Sequence, residues 1–389
     1  MRLAIMETIT TPGGHEVDFD RIIVEELKKL GHEIEFFVPQ DFVFKIEYHV
    51  PVNRMPGRSI SYTGVKGLKK LMYSVKREYN RQRWYRYMFE QAKKGCVDAI
   101  IVPTSTYRYL RALNINVLKH SPVPVIFVLH GINPGEAPKF MAAAEKLLPY
   151  PNIKMVVLTF QDHIFGKRLS NICPIYPPTY TARDIFFQPE VRKKDVLRIG
   201  FFGQYRREKK LEDFLDVFIK GKYTRPLELL VQGSTMRPED AADFERIQKK
   251  YGQQKHIKFL HKGLIGPEWQ QAIADIDVLL MPYSAPRYRY HWGGMLFTAI
   301  GYQKPVIVSD DINPEVMKKY QIGESFSSGN LQDLQLALER FINQFDDKVQ
   351  LYAKELQAAS EDFSPEAFAV KLEHIIFNNK DENGKREEN

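Results

Sequence analysis

The chain has 389 residues, 44% of them hydrophobic and 27% charged, which suits a globular protein but exceeds what one ordinary core accommodates. Lysine and arginine number 56 against 48 aspartates and glutamates, a formal net charge of +8. No run approaches the roughly 18 apolar residues of a membrane-spanning helix, and Cys96 and Cys173 supply neither a disulfide framework nor metal-ligand spacing, so both read as reduced, buried thiols.

The N-terminus, MRLAIMETITTPGG, reaches Thr, Pro and Gly too soon for the apolar region of a secretory signal, so a cytoplasmic location is expected. Short β-branched runs then alternate with helical patterns, the signature of parallel strands joined by crossover helices. Strands are expected at residues 3–6, 34–38, 99–102, 125–129 and 155–158, with a helix over 17–30 that stops at Gly31. Residues 66–94 crowd basic side chains among Trp84 and several tyrosines. Within them Leu68, Leu71, Met72, Val75, Tyr79, Tyr85 and Phe89 recur at helical spacing, which predicts a basic amphipathic helix suited to an anionic membrane surface. No nucleic-acid motif accompanies it.

Residues 173–189, CPIYPPTYTARDIFFQP, suit an extended crossing between domains. The expected division is 1–189 and 190–377, each a Rossmann-like doubly wound domain, with a disordered tail over 378–389. The second half repeats the alternation, with strands at 197–202, 227–231, 257–260, 278–281 and 306–308. Ligands of such sheets bind beyond the carboxyl ends of the strands, so the residues after each run are where chemistry is sought.

The richest stretch is RIGFFGQYRREKKLEDFLDVF, residues 198–218. Gly203 allows a tight turn after a strand, and Arg206, Arg207, Lys209 and Lys210 precede a helix whose positive end faces the same loop, an arrangement suited to a diphosphate. Further on, ADIDVLLMPYSAPRYRYHWGGMLFTAIGYQKPVIVSD, residues 274–310, puts Pro282 and Tyr283 after a strand. Gly293 and Gly294 follow at a helix start, and Pro305, Val306 and Ile307 lead into the next strand. Bare amides at a helix N-terminus approach phosphate oxygens closely.

These two stretches resemble the donor-phosphate loop and second signature of GT-B glycosyltransferases, particularly the retaining family 4, or glycosyl transferases group 1, superfamily. The resemblance implies two Rossmann-like domains facing a cleft, and transfer of a hexose-type sugar from a UDP- or GDP-linked donor. The acceptor it implies is a hydroxyl of a glycan, lipid-linked or cell-surface molecule, as in polysaccharide and cell-envelope synthesis. It implies catalytic roles for His130, Arg206 and Lys209. Donor contacts would come from Gly14, Gly203, Arg206, Lys209, Gly233, Leu264, Tyr283, Tyr290, Gly293, Gly294 and Thr298, and acceptor contacts from Gly13 and His15. It further implies no metal, no cofactor beyond the donor substrate, and peripheral association at the inner face of the plasma membrane through residues 66–94.

Three departures stand out. Tyr290 and Thr298 occupy the positions of the family's two glutamates, Gln204 that of the first loop arginine in many members, and Gln303 that of the glycine in the Gly-x-Pro turn. Retention or inversion is therefore open, and a non-catalytic GT-B module binding a sugar or a partner transferase is the alternative, with a GT-B-fold epimerase a third reading. Asp275 and Asp277 spell Asp-x-Asp but precede an apolar strand and read as helix-end and strand-start residues, not metal ligands.

Overall fold

The computed structural model describes residues 1–9, 14–60, 65, 67–188, 191, 193 and 195–384. The chain divides into two units, Met1–Pro177 with Pro365–Asn389, and Pro178–Ser364. The first unit is built on β1 (Arg2–Met6), α1 (Gly14–Lys29), β2 (Glu33–Pro39), β3 (Val52–Met55), α2 (Gly67–Lys93), β4 (Ala99–Ser105), α3 (Tyr107–Leu113), β5 (Val125–Leu129), α4 (Ala137–Glu145), β6 (Ile153–Leu158) and β7 (Ile172–Ile175). All its strand pairs are parallel, in the order β3-β2-β1-β4-β5-β6-β7. Central β5 is buried along its whole length because helices cover both faces of a parallel sheet. Gly31, at φ +85, ends α1: its N–H donates to Lys28 O and that of His32 to Leu27 O, the paired bonds of a left-handed helix stop.

The second unit carries β8 (Leu197–Phe201), α5 (Leu211–Lys220), β9 (Leu227–Gln232), α6 (Pro238–Tyr251), β10 (Ile257–Leu260), α7 (Pro267–Ala274), β11 (Val278–Met281), α8 (Gly294–Gly301), β12 (Val306–Ser309), α9 (Pro314–Lys319), β13 (Gly323–Phe326), α10 (Leu331–Asn343) and α11 (Phe345–Asp362). Its sheet is again parallel, in the order β10-β9-β8-β11-β12-β13. In both sheets the strand order reverses beside the first strand, next to β1 in one and β8 in the other. Both are doubly wound, as the sequence predicts, and the loops after β8 and β11 flank the point where such sheets bind ligands.

The structure differs from the sequence-based division in several ways. The passage from one unit to the next falls at Pro177/Pro178, ahead of the expected residue 189/190, because Ile172–Ile175 pairs with β6 as an edge strand. A last helix, α12 (Pro365–Gly384), belongs to the first unit, where Phe368 packs on Phe19 and Glu373 meets His32 at 2.9 Å. Residues 378–384, expected to be disordered, continue that helix, and 385–389 lie outside the described residues. Cys96 is exposed in the turn after α2 and Cys173 half-buried, so the expectation of two buried thiols is corrected.

Candidate active site

After β8 the chain turns at Gly203, whose φ of +100 L side chains rarely adopt. Its N–H donates to Gln232 Oε1 at 2.8 Å, and a Cβ there would lie 3.4 Å from Lys209 Nζ. Tyr205 N–H then donates to Ser234 O at 2.7 Å, and its buried hydroxyl to Asp243 at 2.6 Å, so the loop is anchored on both sides before Arg206 emerges. A short turn, Arg207–Lys209, and a left-handed Lys210 lead into α5.

Lys209 is only 5% exposed. Its ammonium donates to Phe202 O at 3.1 Å and stands 4.5 Å from the centre of the Tyr283 ring. Burial first, then the neighbouring Arg206, pushes its pKa down to about 7. Arg206 is more open and donates to Gln204 Oε1 at 3.0 Å. The structure therefore brings the predicted Gly203, Arg206 and Lys209 together, with the lysine beneath the loop.

The loop after β11 carries the predicted Tyr283 and Tyr290 together with two arginines that sequence reasoning missed, Arg287 and Arg289. Tyr283 is buried and its hydroxyl reaches Phe202 O at 3.4 Å. Beyond it, in the turn Pro286–Arg289, Arg287 pairs with Glu208, and Arg289 lies 3.5 Å from Asp310 and 3.2 Å from Asp311. The signal was the run PRYRY, which begins five residues past the end of β11, the same logic that singled out Arg206. Tyr290 closes that turn, its N–H donating to Arg287 O at 3.1 Å.

At α8, Gly293 donates its N–H to Asn313 Oδ1 at 2.9 Å, and a Cβ at 293 would lie 2.7 Å from that oxygen. One expected phosphate donor thus has a side-chain partner already. The Gly294 N–H is directed to Trp292 O at 3.0 Å, and the buried Thr298 hydroxyl donates back to Gly294 O at 2.9 Å. Gly233 donates to Leu260 O at 3.0 Å and packs so closely on Phe244 that a Cβ would collide with the ring. Gln232 Nε2 donates to Lys262 O, ahead of the half-buried Leu264. Asp275 caps α7 and Asp277 accepts the Arg198 N–H at 2.9 Å, the helix-end and strand-start roles expected of them.

In the first unit, Gly13 and the rest of residues 10–13 lie outside the described residues, while Gly14 and His15 open α1. His130 follows β5; its Nε2 donates to Pro103 O at 2.9 Å, since a carbonyl only accepts, and that bond makes Nδ1 the basic nitrogen of the neutral ring. Its ring stands edge-on to Phe19 at 4.7 Å. Two carboxyls that no sequence pattern flags, Glu7 after β1 and Asp20 on α1, are buried here. Desolvation first, with repulsion from Glu16, pushes Glu7 up to about 8, and desolvation followed by the charge of Glu7 pushes Asp20 up as well.

The predicted helix over 68–89 is α2, but its apolar stripe splits. Trp84, Tyr85 and Met88 are buried in the core, whereas Leu68 (86% exposed), Leu71 (63%) and Val75 (64%), with Met72 and Tyr79, face solvent beside the exposed Lys69, Lys70 and Lys76. No helix among the described residues is long and apolar enough to cross a membrane.

Two parallel doubly wound sheets with these loops define the GT-B class of glycosyltransferase fold, as the sequence resemblance implies. Residues 182–356 match the family described as "Glycosyl transferases group 1". HepE of Anabaena, solved in complex with UDP and glucose, is 14% identical, with a TM-score of 0.69 over 97% of this chain and 100% of that one. A glycosyltransferase of Rickettsia africae is also 14% identical, with a TM-score of 0.70 over 97% and 98% of the two chains. WaaG, a glycosyltransferase involved in lipopolysaccharide biosynthesis, is 13% identical, with a TM-score of 0.61 over 96% and 99%. No curated protein matches the chain by sequence.

Proposed function

We propose that this chain is a glycosyltransferase that moves a hexose from a UDP- or GDP-linked donor to a hydroxyl of a glycan or lipid-linked acceptor. The observation that carries the reading is the loop after β8: Gly203, Arg206 and Lys209 brought together at the point of strand-order reversal, inside the segment that matches the family. When the bond between the sugar carbon and the diphosphate oxygen breaks, negative charge builds on the leaving phosphate. Arg206, and Lys209 once protonated, stabilise that charge in the place a metal ion takes in other transferases. The loop is formed beforehand, so little reorganisation accompanies the step. Backbone around Lys262–Leu264 reads the base, while Tyr283 shapes the floor beneath the diphosphate. Tyr290 and the α8 start, Gly293 to Thr298, border the sugar. In the first unit His130 is the residue assigned to the hydroxyl of the sugar or acceptor, and Gly13, Gly14 and His15 are those assigned to the acceptor and the donor phosphate.

The exposed stripe of α2 supports a peripheral role. Leu68, Leu71, Met72 and Val75 beside three lysines suit an anionic lipid surface, from which a lipid-linked acceptor is reached. In liposome sedimentation the chain is expected to pellet with vesicles containing phosphatidylglycerol and to stay in solution with phosphatidylcholine alone; equal recovery in both supernatants removes the membrane part.

The decisive assay is release of nucleoside diphosphate from a panel of nucleotide sugars with and without acceptor extracts. Turnover that falls by two orders of magnitude or more in Arg206→Ala supports the reading. Donor binding without turnover favours a non-catalytic module, the reading suggested by Tyr290 and Thr298 standing where the family has carboxylates.

A further inference from the structure

Glu208 sits where two loops of the second unit meet. It lies in the turn after β8, yet its carboxylate is held from the loop after β11: Arg287 Nη2 donates to Oε1, and the Tyr288 hydroxyl approaches the same oxygen at 3.4 Å. The backbone joins the loops too, with Ser284 N–H donating to Glu208 O at 3.0 Å. Arg206 Nη1 lies 3.7 Å from that same Oε1. One carboxylate oxygen therefore stands between two guanidiniums, carried by neighbouring strands at the reversal of strand order.

Lys209 adds a third cation, because both Arg206 and Arg287 repel its ammonium. With Lys209 protonated, three cations against one carboxylate leave two positive charges in excess, the complement of the two negative charges on a nucleotide sugar's diphosphate. Arg287 also keeps a donor in reserve: its Nε is buried with no hydrogen-bond partner among the described residues, an arrangement that costs free energy unless a ligand meets it.

We propose that Arg287 is a second guanidinium of the donor diphosphate site, and that Glu208 is an internal counter-ion holding Arg287 in place until the diphosphate replaces it. The proposal rests on the transferase reading and adds a residue to its site. An arginine is suited to the exchange because its planar fork accepts either a carboxylate or a phosphate edge. Glu208 keeps the two guanidiniums from repelling each other while the site is empty.

The test is isothermal titration of wild type, R206A, R287A, R287K and E208Q with UDP, GDP, inorganic pyrophosphate and uridine. R287A is expected to bind UDP and pyrophosphate about tenfold or more weakly, with uridine unaffected. R287K should fall between, since an ammonium keeps the charge and loses the fork. E208Q, freed of the competing carboxylate, should bind UDP more tightly. Wild-type UDP affinity in R287A, alongside weakened binding in R206A, would leave Arg287 as a mere partner of Glu208 and overturn the proposal. Should R287A fail to fold by circular dichroism, an R287K indistinguishable from wild type together with an E208Q no tighter than it overturns the proposal equally. A wild type that binds no nucleoside diphosphate removes the transferase reading itself, an outcome distinct from wild-type binding that R287A leaves intact.

Discussion

Gln232, buried at the end of β9, accepts the Gly203 N–H through Oε1 at 2.8 Å while its Nε2 donates to the carbonyl of Lys262. One side-chain amide thus ties the turn after β8 to the loop after β10, and both its ends are used on backbone. Gln232→Ala should leave the half-buried Gly203 N–H and the Lys262 carbonyl without their side-chain partner, a loss of at most about 1–3 kcal/mol each, less whatever water recovers. Because the two loops then move apart without losing Arg206, KM for the nucleotide sugar should rise more than kcat falls. Denaturant unfolding and steady-state kinetics check both halves. A kcat loss at constant KM would mean that Gln232 acts on the chemistry directly.

Lys209 gives the site a pH signature. Its folded-state pKa is lowered to about 7 from an ordinary 10.5, so the folded protein binds this proton less readily than the unfolded chain does. Stability should therefore climb as pH rises from about 7 toward 10.5, relative to a Lys209→Met variant in which that proton is absent. Donor binding should run the other way: an arriving diphosphate favours the ammonium, so affinity should weaken as pH rises past about 7. Thermal unfolding and UDP titration across pH 6 to 9, taking roughly one unit per tenfold change in protonation, separate the two trends.

The buried carboxyls of the first unit slope oppositely. Glu7, raised to about 8 from 4.5, binds its proton more tightly when folded. Its contribution is fully present below pH 4.5 and is lost as pH rises through 8. Glu7→Gln, a neutral isostere, should flatten the fall in stability over that window, as read by melting temperature at fixed ionic strength. An unaltered pH profile in E7Q would show that Glu7 is ionised throughout.

Gln303 tests how a departure from the family is accommodated. Gln303, which stands in place of the glycine of the Gly-x-Pro turn, adopts a left-handed backbone at φ +53. Its side-chain amide donates to Ile300 O at 3.1 Å and Leu356 O at 3.2 Å, which offsets the strain. Gln303→Ala keeps the strain and loses both bonds; Gln303→Gly loses the bonds and relieves the strain. Gln303→Gly should therefore be the more stable of the two by about 1 kcal/mol, measured by urea unfolding. Equal stabilities would place the strain elsewhere.

All but one of the strands that the sequence pattern revealed are interior ones, the exception being β10 at an edge of the second sheet. Leu3–Met6, Val125–Leu129 and Val278–Met281 lie inside their sheets, where both faces demand apolar side chains. The ones it missed, β3, β7 and β13, are edge strands: VNRM and GESF mix polar residues into partly exposed positions, ICPI is broken by Pro174, and none gives a periodic signal. At the candidate site, Gly203, Arg206 and Lys209 were legible because glycine and cations crowd one strand end. Arg287 carried the same kind of signal in its basic run, but its link to the site runs through Glu208, a partner 79 residues away in sequence. Glu7 and Asp20 were hidden for a similar reason, since burial that raises a carboxyl's pKa is a property of packing. The apolar spacing of α2 was read correctly as helical, but spacing alone does not tell which turns meet the core and which meet solvent.

The central claim is that the carboxyl edge of the second sheet, at β8 and β11, receives the diphosphate of a nucleotide sugar. A crystal structure with bound UDP tests it most directly. Phosphate oxygens are expected within hydrogen-bonding distance of Arg206 and Lys209, beside Gly203; UDP found at another sheet edge, with that loop untouched, would contradict the claim.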